Sequence, residues 1–599
     1  MKKPINEKFI SCDLCVVGGG LAGTFAAISA ARHGASVVLL QDRPMLGGNA
    51  SSEVRMWVRG APGKFNRETG LISEYEETII HGNPELNPFL TDALLYEMVL
   101  REPNIRLLLN TTCFDCEMDG ASIRSIRAWQ LTTYICFTVT AKLFADCSGD
   151  SILAPLSKAK YRHGREAAAE YGETLAQPKE DSCTMGMSVL LAARETDHPV
   201  RFVPPEFANC YPDDAAFAGD ALDNIHAQVR DHRVGTNLCN LWWVELGGEG
   251  DTIADADRVR EELMRCIYGV WDHLKNHGDH GMENWELEWV GCLPGKRESR
   301  RYVGAHVLTE QEILSGGHFA DEVAFGGWPL DDHNPYGMRK NPYSATPSHM
   351  VPVKEPYGIP FRCLYSVNVP NLLFAGRNIS VTHVALSSTR VMATCALLGQ
   401  ACGTAAAIAV SHQCLPADVS EFYIAELQRL LMDDGVFLLH LRRPVSGLTR
   451  MARLNLSDSA RMALESGRER PEKGAENAHS VALCPGESLV YTFASPQLLG
   501  TLRIVLDPDY SRMSISENAK MRLFCMKLHT GKDFRPVQVA ETLAKELAVY
   551  ADGKEVFRVR DNFHALLKIP LQITARELRL ELISTNGADS VKFFSVDFI

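Results

Sequence analysis

The stretch DLCVVGGGLAGTFAAISAARHGASVVLL, residues 13–40, decides the fold. Asp13–Val17 is a short apolar run with the composition of a buried strand, and Gly18, Gly19 and Gly20 then turn the chain. Leu21–His33 continues as a small-residue helix that Gly34 stops, and Ala35–Leu40 is a second apolar strand. Strand, glycine turn, helix and strand in this order make a βαβ unit. Within it the glycines of Gly18-x-Gly20-x-x-Gly23 have separate physical tasks. One makes the tight turn, one lets the backbone approach a pyrophosphate, and one lets helix and strand touch, with phosphates at the helix N-terminus beside Leu21 and Ala22. The motif therefore predicts dinucleotide binding. The competing reading is a glycine-rich turn that binds nothing.

At the end of the second strand such a unit normally places an acid that accepts hydrogen bonds from ribose hydroxyls. This chain has Gln41 there, followed by Asp42 and Arg43. The Gln41 side-chain carbonyl can still accept from a hydroxyl, with a weaker bond because it is neutral. Arg43 is compatible with a phosphate on the ribose, as in NADP, or with an exposed structural role.

At 599 residues the chain is too long for one ordinary domain, and about two to four are expected. Hydrophobic content of 46% and charged content of 23% are those of a globular protein. The net charge of −13 argues against nucleic acid as the main partner, but local cationic patches can oppose the global sign. Two uncharged runs, residues 14–31 and 391–410, approach the roughly 18–20 residues that span a bilayer. Their Gly, Ala, Ser and Thr content reads instead as buried βα elements, so no membrane partner is expected. The leading MKKPINEKFI has no apolar core of a secretory signal, and the cytoplasm is the default expectation.

Seventeen cysteines at irregular spacing do not form a secreted disulfide framework. Cys12/Cys15 and Cys113/Cys116 are CxxC pairs with the spacing of zinc thiolates. Each falls on a strand-like run, where an odd separation sends the side chains to opposite faces. Buried reduced thiols are the preferred reading, and no metal is expected.

Beyond the βαβ unit, a helix near Thr91–Arg101 precedes strand-like runs at Ile105–Asn110, Ile123–Leu131 and Cys136–Phe144. Residues 254–276 carry helical periodicity, and 316–365 read as irregular loops able to line a pocket. Residues 371–411 return to the βα style of the amino end. After Arg442-Arg443-Pro444 short strands dominate (Ser488–Phe493, Gly500–Leu506, Met521–Leu528, Leu578–Ile583), the signature of a small antiparallel β-sandwich. The expected organisation is an α/β Rossmann-like domain built from residues 1–160 and 366–443. An α+β substrate region over 161–365 is inserted in it, and a β-sandwich over 444–599 follows.

Taken together, GGGLAG (18–23), LLQDRPMLGGNASSE (39–53), FADCSGD (144–150), PGKRESRR (294–301) and the long run from Asn371 to Ala407 resemble the large bacterial FAD-dependent oxidoreductases. Those belong to the glutathione-reductase-like flavoproteins and are distantly similar to fumarate reductase flavoproteins. The resemblance covers roughly residues 10–440. It implies that Gly47 and Gly48 pass close to a flavin, where two glycines let amides approach the rings without a Cβ clash, and that Asn49, Ser51 and Ser52 bond the cofactor. It places Asp146, Gly149 and Asp150 near the adenosine part, Gly376 and Arg377 beside the ribityl chain, and the helix through Gly399 and Gln400 with its N-terminus toward the flavin. For the glycine pair a plain surface turn is the other reading, and for the helix plain packing on a sheet.

His383, with Arg390 seven residues on, matches the place where a His and an Arg contact substrate in the fumarate reductase relatives. A histidine suits the base that hydride transfer from an alcohol needs, and an arginine holds developing negative charge; a packed histidine is the alternative. Arg297, Arg300 and Arg301 can bind a substrate anion or the cofactor diphosphate, or pair with Glu298 at a surface. His349 and Arg362 are weaker pocket candidates, and Trp242-Trp243 reads as core before sugar platform. No histidine occupies a covalent-flavin position, so dissociable FAD is expected. The resulting expectation is an FAD-dependent oxidoreductase passing hydride between flavin N5 and a small hydroxylated or anionic, sugar-like substrate. The alternatives are a reductase of an activated C=C bond and a carbohydrate-binding protein with a vestigial flavin fold. All eight tryptophans precede the C-terminal region, which favours a structural or oligomerising role for it, in a homo-oligomer, over sugar binding.

Overall fold

The computed structural model describes residues 6–63, 65–213, 244–277, 280–338, 348–510, 526–527 and 536–599. Trp242-Trp243 and most of Met521–Leu528 lie outside the described residues. The chain forms two compact units. The first comprises Met1–Ala61, Leu86–Gln428 and Ser516–Arg535, the second Pro62–Glu85, Arg429–Ile515 and Pro536–Ile599.

The first unit is built on strands β1 (Asn6–Val17), β2 (Val37–Leu40), β3 (Ile105–Leu108), β4 (Thr111–Asp119), β5 (Ser122–Gln130) and β6 (Ile135–Asp146), in the order β3-β2-β1-β6-β5-β4. β1 pairs in parallel with β2, Leu14 opposite Val37, and with β6, Leu14 opposite Leu143. β2 pairs in parallel with β3. β6 then shares its other edge: β5 runs antiparallel along its first half, while Leu372–Phe374 pairs in parallel with Phe144–Asp146. The Rossmann-like parallel region is thus completed by a strand from more than two hundred residues later. Helix α1 (Leu21–Arg32) buries every residue but its last, because it packs against β1 and β2 and against the Met392–Ser411 helix. That second helix is the one described helix long and apolar enough to cross a membrane, and 94% of its apolar window is buried inside the protein. Burial pushes the Cys12 and Cys113 thiols up to about 12, which keeps them protonated.

Residues 161–365 belong to the same compact unit. Helix Ala256–Asn276 buries Val259, Leu263, Ile267, Val270 and Leu274, a helical-period stripe, in one cluster with Met187, Leu191 and Trp285. The expected loops over 316–365 are in part short strands: Glu322–Gly326 pairs with Tyr357–Pro360, and Leu330–His333 with Ser348–Val351. These runs are too short to show a period above the surrounding Gly and Pro.

In the second unit seven strands join into one antiparallel sheet centred on Ser488–Leu506 and Leu566–Thr585. In the first of these, Leu489, Tyr491 and Phe493 face the core, and then Leu502, Ile504 and Leu506 do. Register shifts between Thr492 and Gln497 and between Leu499 and Thr501 change the parity that points inward. The two runs expected as separate strands are therefore one. Met526–Lys527 pairs with Leu191–Glu195 in the first unit, not with this sheet. Residues 62–85, expected with the amino-terminal domain, group here instead: the Ala565 N–H donates to Glu77 (3.2 Å), and Arg470 donates to the carbonyls of Phe65 (2.9 Å) and Arg67 (2.7 Å). Arg443, expected at the end of the α/β part, is likewise bonded to Asp597 (2.7 Å) and Glu469 (2.8 Å) in this unit.

Candidate functional site

The glycines after β1 divide their work as the motif requires. A Cβ on Gly18 would stand 2.5 Å from the Cys147 carbonyl oxygen, and one on Gly23 1.8 Å from that of Gly18. One on Gly20 would meet nothing nearer than Gly48 Cα at 4.0 Å. Two of the glycines are thus demanded by the protein's own packing, and the third leaves room beside a second glycine turn. The Gly47 N–H donates to the Gly19 carbonyl (2.8 Å), tying the two turns together. Gln41 braces both: its Oε1 accepts from the Gly19 N–H (2.8 Å) and its Nε2 donates to the Met45 carbonyl (3.0 Å).

The turns open on a cavity of about 630 Å³. Gly18, Gly20, Leu21, Ala22, Gln41, Asp42, Arg43, Gly47, Gly48 and Asn49 line one part of it, and Gly149, Asp150, Gly376, Arg377, Arg297 and Arg390 another. Segments from four distant parts of the sequence therefore share one space. Asp150 accepts from Lys296 Nζ (2.8 Å), Arg377 Nη2 (2.9 Å) and Ser299 Oγ (2.9 Å). Burial would raise its carboxyl, but Arg377 and Lys296 outweigh that and hold it down to about 2.

A second cluster on the same cavity centres on His333. Its Nδ1 is 2.7 Å from Glu245 Oε2 and its Nε2 3.4 Å from Asp331 Oδ2. Arg297 Nη1 stands 3.2 Å from the same Glu245 oxygen, and Arg390 Nη2 3.1 Å from Asp331 Oδ2. Burial works to raise both carboxyls. Arg297 and His333 keep Glu245 below the carboxylate range, and His333 and Arg390 keep Asp331 far below it. Arg59 stands over the Trp57 and Trp328 rings, at 5.7 and 5.5 Å from their centroids, and all three line the cavity. Among the described residues, the lining carries six cationic side chains (Arg43, Arg59, Lys296, Arg297, Arg377, Arg390) against three carboxylates (Asp42, Asp150, Asp331). In a chain of net charge −13 this is a local reversal of sign, fitted to an anion.

Residues 13–431 match the FAD dependent oxidoreductase family. The chain belongs to that family. No curated protein matches it. Among solved structures, an E. coli quinol fumarate reductase is similar at 12% identity over 71% of this chain and 75% of that one, with a TM-score of 0.27. A geranylgeranyl bacteriochlorophyll reductase-like protein from Thermoplasma acidophilum is similar at 11% identity over 71% and 86%, with a TM-score of 0.30. The family 32 carbohydrate-binding module of Streptococcus pneumoniae EndoD is similar at 15% identity over 26% of this chain and 99% of that module, with a TM-score of 0.18.

The cavity of this FAD-dependent oxidoreductase fits its cofactor. Two glycine turns free of side chains face it, and the buried Nε atoms of Arg377 and Arg390 have no hydrogen-bond partner among the described residues. Gly18, Gly20 and the amides that follow would hold the diphosphate, Asp42 the ribose end, and Gly47, Gly48 and Asn49 the ring end. Gln41 also lines the cavity, with its carbonyl already accepting from the Gly19 N–H, and Asp42 beside it is the carboxylate at this strand end.

Other expected cofactor residues build the walls from behind. Ser51 Oγ donates to the Gly48 carbonyl (2.7 Å), and the Ser52 N–H donates to Asp92 (3.1 Å). Asp146, fully buried, accepts from Ser148 Oγ (2.6 Å), the Leu153 N–H (2.8 Å) and Tyr302 (2.7 Å), and burial raises its carboxyl in spite of them. Gly399 packs on Ala22, and Gln400 is buried in the same helix. Asp146, Gly399 and Gln400 do not reach the cavity.

His383 is the larger correction. It is 2% exposed, with Nδ1 2.9 Å from Glu298 Oε2, Nε2 3.0 Å from Asp332 Oδ1, and its N–H donated to Glu166 (2.9 Å). Burial disfavours its charge, yet Glu298 and Asp332 raise it to about 10. Both nitrogens donate, so the ring is an imidazolium with no lone pair for base catalysis near neutrality. Arg301 belongs to the same buried network, bonded to Glu298 and, at 2.7 Å, to Glu166. Neither His383 nor Arg301 lines the cavity. Arg300 lies over the Tyr161 ring, Arg362 pairs with Asp321, and His349 is exposed. The cluster that sequence reasoning missed is His333, Asp331 and Glu245. Its one local signal is the alternation in Leu330–His333, which sends Asp331 and His333 to one face and Asp332 to the other.

Proposed function

We propose that this oxidoreductase passes a hydride between its FAD and a small hydroxylated or anionic substrate, sugar acids being the type that combines both features. The observation that supports this reading is the cationic excess of the cavity wall, concentrated at Arg297 and Arg390 beside His333. FAD, when bound, supplies the two-electron acceptor or donor at its N5. The protein's side chains do the rest. Arg390 and Arg297 hold and orient the anionic group, and the aromatic walls Trp57 and Trp328 exclude water around the reacting carbon.

The test is to mix FAD-loaded enzyme anaerobically with a panel of sugars, sugar acids, hydroxy acids and enoates while recording the flavin spectrum. Bleaching by hydroxylated anions is the expected result. A flavin that ignores them, or that after reduction is reoxidised by enoates alone, would overturn the reading in favour of C=C reduction. We propose further that the FAD is held without a covalent bond. Acid precipitation then leaves a colourless pellet, and a yellow one contradicts it.

A further inference from the structure

Two cations on the cavity wall, Lys296 and Arg377, share one carboxylate. Asp150 lies 2.8 Å from Lys296 Nζ and 2.9 Å from Arg377 Nη2, so one positive charge is left over at this point of the wall. The surplus is visible atom by atom. Lys296 Nζ gives one of its three N–H bonds to Asp150 and meets no other acceptor among the described residues. Arg377 Nε is buried without a partner. Arg297, the next residue after Lys296, turns instead to Glu245 beside His333, so the two neighbours serve different parts of the cavity.

Both glycine turns fix where this surplus lies. The segment that carries Asp150 packs on the first turn, where a Cβ on Gly18 would stand 2.6 Å from Ser148 Cα. The segment that carries Lys296 packs on the second. Asn49 Nδ2 donates to the Lys296 carbonyl (3.0 Å), and a Cβ on Gly295 would come within 3.9 Å of the Asn49 side chain. Gly20, Leu21 and Ala22, at the start of helix α1, line the same cavity. That helix has no side-chain cap and no acid in its first turn. Such a start is the ordinary seat of a pyrophosphate. Its dipole offers only about half a positive charge, and a diphosphate brings about two negative ones, so a cation is needed beside it.

We propose that Lys296 is a diphosphate-binding residue of the FAD site and that Asp150 positions its ammonium. Residues 161–365, expected to form the substrate region, then supply a cofactor contact as well. The inference stands on the family's cofactor and not on the proposed substrate.

The experiment titrates the full-length protein with FAD by fluorescence. It then displaces the FAD with ADP, which brings a diphosphate without a flavin, or with adenosine, which brings neither. Lys296→Gln should raise the Kd of FAD and the inhibition constant of ADP by about 10–100-fold each, and leave that of adenosine within about threefold. Lys296→Arg keeps the charge and should recover most of the ADP affinity. Displacement by ADP should also depend less on salt in K296Q, because one screened ion pair is gone. Weaker FAD with unchanged ADP would place the ammonium at the flavin instead and overturn the assignment. Equal losses for ADP and adenosine, or wild-type affinities throughout, would overturn it too. Should K296Q fail to fold, Lys296→Met, which keeps the aliphatic stem, carries the same comparison.

Discussion

A Cβ built on Gly399 would stand 2.0 Å from the carbonyl oxygen of Ala22, and one on Gly403 2.1 Å from that of Ala26. Helix α1 and the Met392–Ser411 helix therefore cross backbone against backbone. Ala22, on one helix, and Met392, on the other, both line the cavity, so this crossing sets the distance between the first glycine turn and the far wall. Gly399→Ala has to push the helices apart, at a cost of about 1–3 kcal/mol. The expected outcome is a lower thermal midpoint together with weaker FAD binding in a fluorescence titration. Gly447→Ala, where a Cβ would meet nothing within 4 Å, should change neither.

Gln41 occupies the position where a ribose-binding acid is ordinarily found, and restoring that acid should do harm. Its Nε2 donates to the Met45 carbonyl while its Oε1 accepts from Gly19. Gln41→Glu replaces the donor with a second acceptor facing that carbonyl, in a buried place, which costs roughly 1–3 kcal/mol. FAD affinity should fall by about tenfold or more. Asp42→Asn should weaken FAD by a smaller factor without lowering the thermal midpoint. Tighter FAD binding by Q41E would show that the side chain faces the ribose after all.

How far the sequence reveals this molecule depends on how local each contact is. Gly18, Gly20 and Gly23 stand between two apolar runs, and both the turn and its packing follow from neighbours a few residues away. His383 stands close to a recognisable motif, but its chemistry is set by Glu298 and Asp332, which are 85 and 51 residues away. Glu245 and His333 are 88 residues apart, and the four-residue strand that carries His333 is too short to announce a buried face. In the C-terminal unit Ser495-Pro496 reads as a break between two strands. A bulge absorbs the proline there, as bulges can, so one strand runs from Ser488 to Leu506.

The buried imidazolium of His383 predicts a pH dependence of stability. Its folded value of about 10 lies above the ordinary 6.5, so the protonated ring favours the folded state. The contribution is whole below about 6.5, declines as the unfolded chain releases its proton, and is gone above about 10. Thermal unfolding should therefore show a midpoint that falls between pH 7 and 10. His383→Gln removes the cation that Asp332 and Glu298 share, leaving Glu298 only Arg301, and should cost about 3–5 kcal/mol at pH 6, with the gap to wild type closing toward pH 10. A gap independent of pH would mean that the ring is neutral in the folded protein.

Arg390 separates the recognition of an anion from the bracing of the wall. Its Nη2 donates to both the carbonyl (3.0 Å) and the carboxylate (3.1 Å) of Asp331, so Arg390→Gln removes a cation from the cavity and one partner from Asp331. If Arg390 holds the substrate's anionic group, the Kd of an anionic panel compound, read from flavin bleaching at varied concentration, should rise by roughly 10–100-fold. A neutral polyol of the same size should then change by less than about threefold. Arg390→Lys keeps the charge but not the planar fork, and should fall between wild type and R390Q. Equal losses for the charged and neutral compounds would assign Arg390 to holding Asp331 in place, and the anion would have to be sought at Arg297, whose Arg297→Gln variant then carries the same comparison.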